Sequence, residues 1–177
     1  MAITACERPA PPSSAEAAAS YNVGDYLQQE IQRLQAEKPN VLKSVQTENK
    51  PTETVETSEL NWEKELSVFQ DANINLPTLQ DDFIEERQEL PGGIVLTNYR
   101  RKEGTGAAVA FLSIRTAPGP RLQQLEAVIQ EENMLFYSKR RLTLSTNENG
   151  NIASYGVDGV QKLIFGDSLH YRTDANL

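Results

Sequence analysis

The sequence predicts an α+β fold: one curved, antiparallel, meandering β-sheet packed by two helices from the N-terminal half, preceded by a disordered tether. Three observations carry that expectation. Two stretches before Pro77 place apolar side chains at three- and four-residue steps, the spacing of one helix face. From Phe83 onward, seven strand-like runs recur roughly every 10–15 residues, and the turns between them are too short for crossover helices. Residues 1–20 are dominated by Pro, Ala and Ser, which fix φ or offer little to bury, so they read as a spacer.

The elements follow in order. Between Asn22 and Lys38, Val23, Tyr26 or Leu27, Ile31 and Leu34 form a helical stripe, with Gln and Glu on the other face. Lys38-Pro39 stops this helix, because proline disfavours helical backbone in the residue before it. Val41–Thr47 and Thr52–Thr57 are two Thr- and Glu-rich β-type runs around Asn49-Lys50-Pro51, and predict an exposed hairpin. A second helix over Asn61–Asn73 carries Trp62, Leu66 and Phe69 on one face; Asn61 suits its cap and Pro77 bars continuation. The seven later strands are expected at Phe83–Gln88, Ile94–Arg101, Ala107–Arg115, Leu122–Glu131, Phe136–Ser145, Ala153–Ile164 and Leu169–Arg172. Leu122, Leu125 and Ile129 would also suit a helix face, so that segment is open to either assignment. Ala108, Ala110, Leu112 and Ile114 are expected to share one sheet face, and the two helices are the available cover for it. Residues 21–177 are read as a single domain.

With 177 residues and 38% apolar content the chain can build one core. The formal net charge of −8 repels phosphate backbones and argues against nucleic-acid binding. No run approaches the roughly 18 apolar residues of a spanning helix. Cys6 is the only cysteine, so no internal disulfide forms within this chain.

Cys6 closes Ile3-Thr4-Ala5-Cys6, which fits a bacterial lipobox: an aliphatic residue, two small ones, then the cysteine that is acylated. A signal peptide needs a basic start and an apolar stretch, and neither precedes Cys6, so a lipobox here implies a start further upstream. The alternative is an ordinary thiol. Two or three acyl chains anchor stably, at about 0.8 kcal/mol per buried methylene, where one would not.

The chain carries few residues in catalytic patterns. His170 is the sole histidine, which rules out a cluster of imidazoles, and no nucleophile-elbow, zincin, Walker or dinucleotide-binding pattern occurs. No metal site and no cofactor are expected. Asp81, Asp82, Glu85 and Glu86 form the densest acidic group, yet they lack the glycine of a Ca²⁺ loop and read as a solvated face. Two basic triplets, Arg100-Arg101-Lys102 and Lys139-Arg140-Arg141, are candidates for a patch that binds an anionic partner, such as lipid headgroups or an acidic protein. Neighbouring strand residues face opposite ways, so each triplet must split, and charged edge protection is the competing explanation. Trp62 and Phe69 could line a ligand groove, but their spacing beside Leu66 fits plain core.

Several segments resemble small, uncharacterised envelope lipoproteins of bacteroidete-type bacteria. They are Tyr26–Leu34 (YLQQEIQRL), Asn61–Asn75 (NWEKELSVFQDANIN), Leu135–Leu142 (LFYSKRRL) and Tyr155–Lys162 (YGVDGVQK), of which the second is the most specific. The resemblance runs from about Tyr21 to Tyr171 and implies a lipid-anchored domain of helices and antiparallel sheet, with no catalytic residue to transfer. Surface-exported lipoproteins of these bacteria carry an acidic run after the acylated cysteine; here Glu7-Arg8-Pro9 follows Cys6, which points to a periplasm-facing domain.

The resulting expectation is a non-enzymatic outer-membrane lipoprotein, held in the envelope by acylated Cys6 and acting as a protein-interaction or accessory module for an envelope protein. The alternative is a carrier or sensor of an apolar ligand, a lipid, held between sheet and helices. An enzyme using the Asp81–Glu86 carboxylates ranks third.

Overall fold

The computed structural model describes residues 21–48, 50–79, 81–163 and 166–177. Residues 1–20, with Cys6 and the lipobox and tether expected there, lie outside the described residues. Two α-helices, α1 (Val23–Glu37) and α2 (Trp62–Gln70), accompany nine strands: β1 (Val41–Thr47), β2 (Glu53–Thr57), β3 (Phe83–Leu90), β4 (Ile94–Arg101), β5 (Val109–Ala117), β6 (Arg121–Glu132), β7 (Phe136–Thr146), β8 (Ile152–Leu163) and β9 (Ser168–Asn176). All nine form one open antiparallel sheet in the order β2-β1-β9-β8-β7-β6-β5-β4-β3. The α+β class and the antiparallel meander, in which each of β3 to β8 pairs with the next strand, are therefore as expected. The N-terminal hairpin does not stand apart: β1 pairs with β9 from Leu42↔Asn176 to Thr47↔Tyr171, and β2 becomes an edge of the main sheet.

Local chemistry accounts for the helix boundaries. The Asn22 side chain accepts from the Asp25 amide at 3.1 Å and the Asn61 side chain from the Lys64 amide at 3.0 Å, satisfying one otherwise orphaned donor at each start. Lys38 ends α1 in left-handed backbone (φ 47°), its amide bonded to Leu34 O at 2.9 Å. α2 ends well before Pro77, in a turn where the Ala72 amide donates to Phe69 O at 3.1 Å.

One apolar cluster joins the two helices to the sheet. It includes Leu27 and Leu34 of α1, Trp62, Leu66 and Phe69 of α2, and Leu112, Ile114, Leu125, Leu142 and Tyr155 of the strands. Each fully buried Leu, Ile or Phe contributes about 1.5–3 kcal/mol through apolar surface removed from water. Phe69 meets Tyr155 edge-on, with ring centroids 6.0 Å apart.

Residues 121–132 are strand, not helix. The three-residue step from Leu122 to Leu125 has a specific cause. Thr116 opposes Leu122 and Arg115 opposes Gln124, so Gln123 is an extra residue in a β-bulge. That insertion returns Leu122 and Leu125 to the same, buried face. A second bulge, between Val109↔Ile129 and Phe111↔Val128, makes Ala110 the extra residue. The buried face of β5 is consequently Val109, Leu112 and Ile114, rather than the uniform alternation from Ala108.

Candidate functional site

The strand registers decide where the basic residues go. Arg100 opposes Phe111, Phe111 opposes Val128, Val128 opposes Arg141, Arg141 opposes Asp158, and Asp158 opposes Arg172. These residues form one cross-strand row on the face opposite the core, because directly paired antiparallel residues point the same way. Arg100 and Arg141 thus share a face but stand three strand spacings apart, about 14 Å. Lys139 is exposed on that face next to Arg141 along β7. Arg115, a residue not singled out from sequence, faces the same way two rows from Arg100, in register with Leu96 and Gln124. Alternation along β5 was the signal that would have found it.

The remaining members of the triplets are engaged elsewhere. Arg101 donates from Nη1 to Ala107 O at 2.6 Å, fastening the β4–β5 connection, and Lys102 donates from Nζ to Asp81 O at 2.6 Å, tying the end of β4 to the segment that leads into β3. Arg140 opposes Ile129 and so lies on the core side, where it meets Asp71 at 3.0 Å and Glu131 at 3.9 Å. Arg100 stacks over the Phe111 ring at 5.4 Å, and Arg141 approaches Glu126 at 3.7 Å. The outward face is accordingly a mixed field, in which Glu126, Asp158 and Asp174 alternate with the arginines.

Of the acidic group, Asp81 is exposed beside β3, while Glu85 and Glu86 occupy opposite faces of that edge strand, opposing Tyr99 and Asn98 respectively. They do not converge. His170 is exposed on β9 and, with Asp158 and Arg172, borders a shallow open depression. Trp62 and Phe69 are core side chains, 2% and 0% exposed.

Two carboxylates escaped the sequence reading and carry the polar linkage between helices and sheet. Glu30 of α1, only 5% exposed, accepts from Arg33 Nε at 2.9 Å, Arg33 Nη2 at 2.8 Å and the Ile152 amide at 2.7 Å. Glu65 of α2 accepts from Lys43 Nζ at 2.6 Å and the Tyr155 hydroxyl at 2.9 Å. Glu30 lies three residues after Leu27 and four before Leu34, inside the apolar stripe, and that position was its signal. These negative charges oppose phenolate formation nearby. Burial first, and then Glu30, push Tyr21 up to about 12 and raise Tyr26 further; burial, and then Glu65, raise Tyr155 strongly. Both clusters link a helix to the sheet through a carboxylate.

Among the described residues no group of three or more His, Cys, Asp or Glu side chains is arranged to hold a metal ion, and no helix is long and apolar enough to cross a membrane. No protein-family model matches this chain, and no curated protein or solved structure is significantly similar to it.

Proposed function

We propose that the chain is a lipid-anchored envelope lipoprotein, acylated at Cys6 and facing the periplasm, that serves as a non-enzymatic interaction or accessory module. The helices lie on one side of a curved sheet, and the other side is the docking face for an envelope protein. The observation that carries the reading is the outward face of the nine-stranded sheet, with its row Arg100, Phe111, Val128, Arg141, Asp158 and Arg172. Charge of both signs at fixed spacing selects a complementary partner and suppresses wrong ones. The edges β2 and β3 offer main-chain groups for strand addition beside it. A carrier of apolar ligand fits less well, because Leu27, Leu34, Leu66, Phe69, Leu112 and Leu142, the side chains between helices and sheet, are all 0% exposed and fill the space a ligand would need.

Native mass spectrometry of the protein extracted in mild detergent from its own cells tests this. The expected result is an acyl mass on Cys6 and a stoichiometric protein partner that is lost from the Arg100→Glu/Arg141→Glu variant. A chain without acyl mass would overturn the anchor. An acylated chain carrying only a displaceable lipid would overturn the interaction module.

A further inference from the structure

The two ends of the sheet differ in chemistry. At one end the strand connections are Pro91-Gly92-Gly93, Pro118-Gly119-Pro120 and Asn147–Asn151, none with a large apolar side chain. At the other end lie the β6–β7 and β8–β9 hairpins, adjacent in the sheet because β7 pairs with β8. Eight large hydrophobic side chains are exposed among the described residues, and four of them are here: Met134 at 89%, Leu135 at 63%, Leu163 at 60% and Leu169 at 48%. Phe136, partly exposed, opposes Leu163 and joins them. An apolar concentration of this kind marks a surface that something covers.

We propose that this end of the sheet dips into a lipid bilayer surface, a second membrane contact alongside the acyl anchor; the inference rests on the lipid-anchored reading for what brings it to the membrane. Three features select lipid as the occupant. Residues 7–20 contain no large apolar side chain to match the patch. Their reach, about 45 Å when extended, nevertheless lets a chain anchored at Cys6 set either end of the sheet against the bilayer. The patch also sits at the ends of neighbouring strands, where side chains such as Met134 and Leu135 can enter between headgroups.

The third feature is the order of side chains along the strands. Met134 and Leu135 come first. Tyr137 and Lys162, which oppose each other, stand on the next level, and Lys139, which opposes Val160, stands beyond them. At about 3.3 Å of rise per residue, Leu135 to Tyr137 spans about 7 Å and Leu135 to Lys139 about 13 Å. The apolar side chains run from Leu135 to Leu169, which opposes Gln161 about 10 Å further along, and so fall within an insertion depth of about 5–10 Å, with Tyr137 and Lys162 among them and Lys139 beyond, as a bilayer interface accommodates ring and amine. Glu131, Glu132 and Asp167 offset Lys139, Arg140 and Lys162 around the tip. Insertion is therefore driven by apolar burial and depends little on salt or on anionic lipid.

Cys6 and Trp62, each the only residue of its kind, make the test direct. The full chain is coupled through Cys6 to a maleimide-headgroup lipid in phosphatidylcholine vesicles, with or without bromine on the acyl chains, which quenches inserted indoles. This coupling supplies the anchor whether or not Cys6 is acylated in cells, so failure of the lipoprotein reading and failure of this inference are separable. Buried Trp62 should be insensitive to bromine. The Leu135→Trp variant should lose most of its added emission, equally at low and high salt, while Glu148→Trp, at the opposite end, should lose none. Leu163→Trp provides a second position if Leu135→Trp folds poorly. Equal bromine sensitivity at positions 135, 163 and 148, or none at all, would overturn the proposal. So would dimerisation of the uncoupled chain that is abolished by Met134→Ser/Leu135→Ser.

Discussion

Replacing Glu30 with alanine is the sharpest test of how α1 is held. The substitution removes three hydrogen bonds at a site 5% exposed: two from Arg33 and one from the Ile152 amide. The stranded Ile152 N–H is the larger loss, because a buried donor without a partner costs about 1–3 kcal/mol. Arg33 is not stranded to the same degree. Its side chain keeps 22% exposure and its bond to Glu37, so the 3–5 kcal/mol of a fully buried broken pair is an upper bound. The expected destabilisation is about 2–3 kcal/mol. Glu30→Gln keeps an amide oxygen for Ile152 and forfeits the charged fork, for about 1 kcal/mol. Equilibrium urea unfolding, followed by the fluorescence of buried Trp62, reads both. At a slope of about 2 kcal/mol per molar urea, Glu30→Ala should lower the midpoint by about 1–1.5 M with the slope unchanged. A Glu30→Ala variant within about 0.5 kcal/mol of the parent, or a glutamine as damaging as alanine, would refute this role for Glu30.

Two further outcomes are expected. Tyr21 and Tyr99 are raised to about 12, and Tyr26 and Tyr155 further, so folding favours their neutral forms. That stability is fully present below the unfolded value near 10 and is lost as pH rises through the folded values. Phenolate absorbance should rise in a late step coincident with alkaline unfolding, and Tyr155→Phe should weaken the pH dependence; independent ionisation of all six tyrosines near pH 10 would contradict this. Gly150 has φ 86° and a Cβ built there falls 2.7 Å from Arg121 Cγ, whereas Gly104 has φ 81° and open space. Gly150→Ala should therefore cost about 1–2 kcal/mol in thermal or urea unfolding and Gly104→Ala only the backbone share of that; equal losses would remove the clash from the account.

The parts of the fold legible in the sequence are those set by local pattern. β1 and β4 lie where alternation and flanking turns put them, and Asn61 caps α2 as its side chain suggests. The pairing of β1 with β9 was not legible, because about 130 residues separate the partners and nothing local in Thr- and Glu-rich β1 names its neighbour. Bulges at Ala110 and Gln123 obscured the face assignments in β5 and β6: one inserted residue reverses the parity on which such assignments rest. Glu30 looks like part of a solvated face because its residue type outweighs its position in the stripe. The basic triplets were foreseen to split, and they do, but the row that links Arg100 to Arg141 across β5 and β6 depends on register alone.

The place of β9 in the sheet has a consequence for how the protein is made. β9 is the last strand in chain order, yet it lies inside the sheet, between β8 and β1. During synthesis β1 and β2 emerge first and must wait, their inner edge unpaired, while every other strand is added. The meander from β3 to β8 can assemble as it appears, but β1 and β2 gain their connection to it only when Ser168–Asn176 arrives. A nascent or truncated chain lacking those residues would be split into two fragments of sheet, each with an open edge available for aggregation.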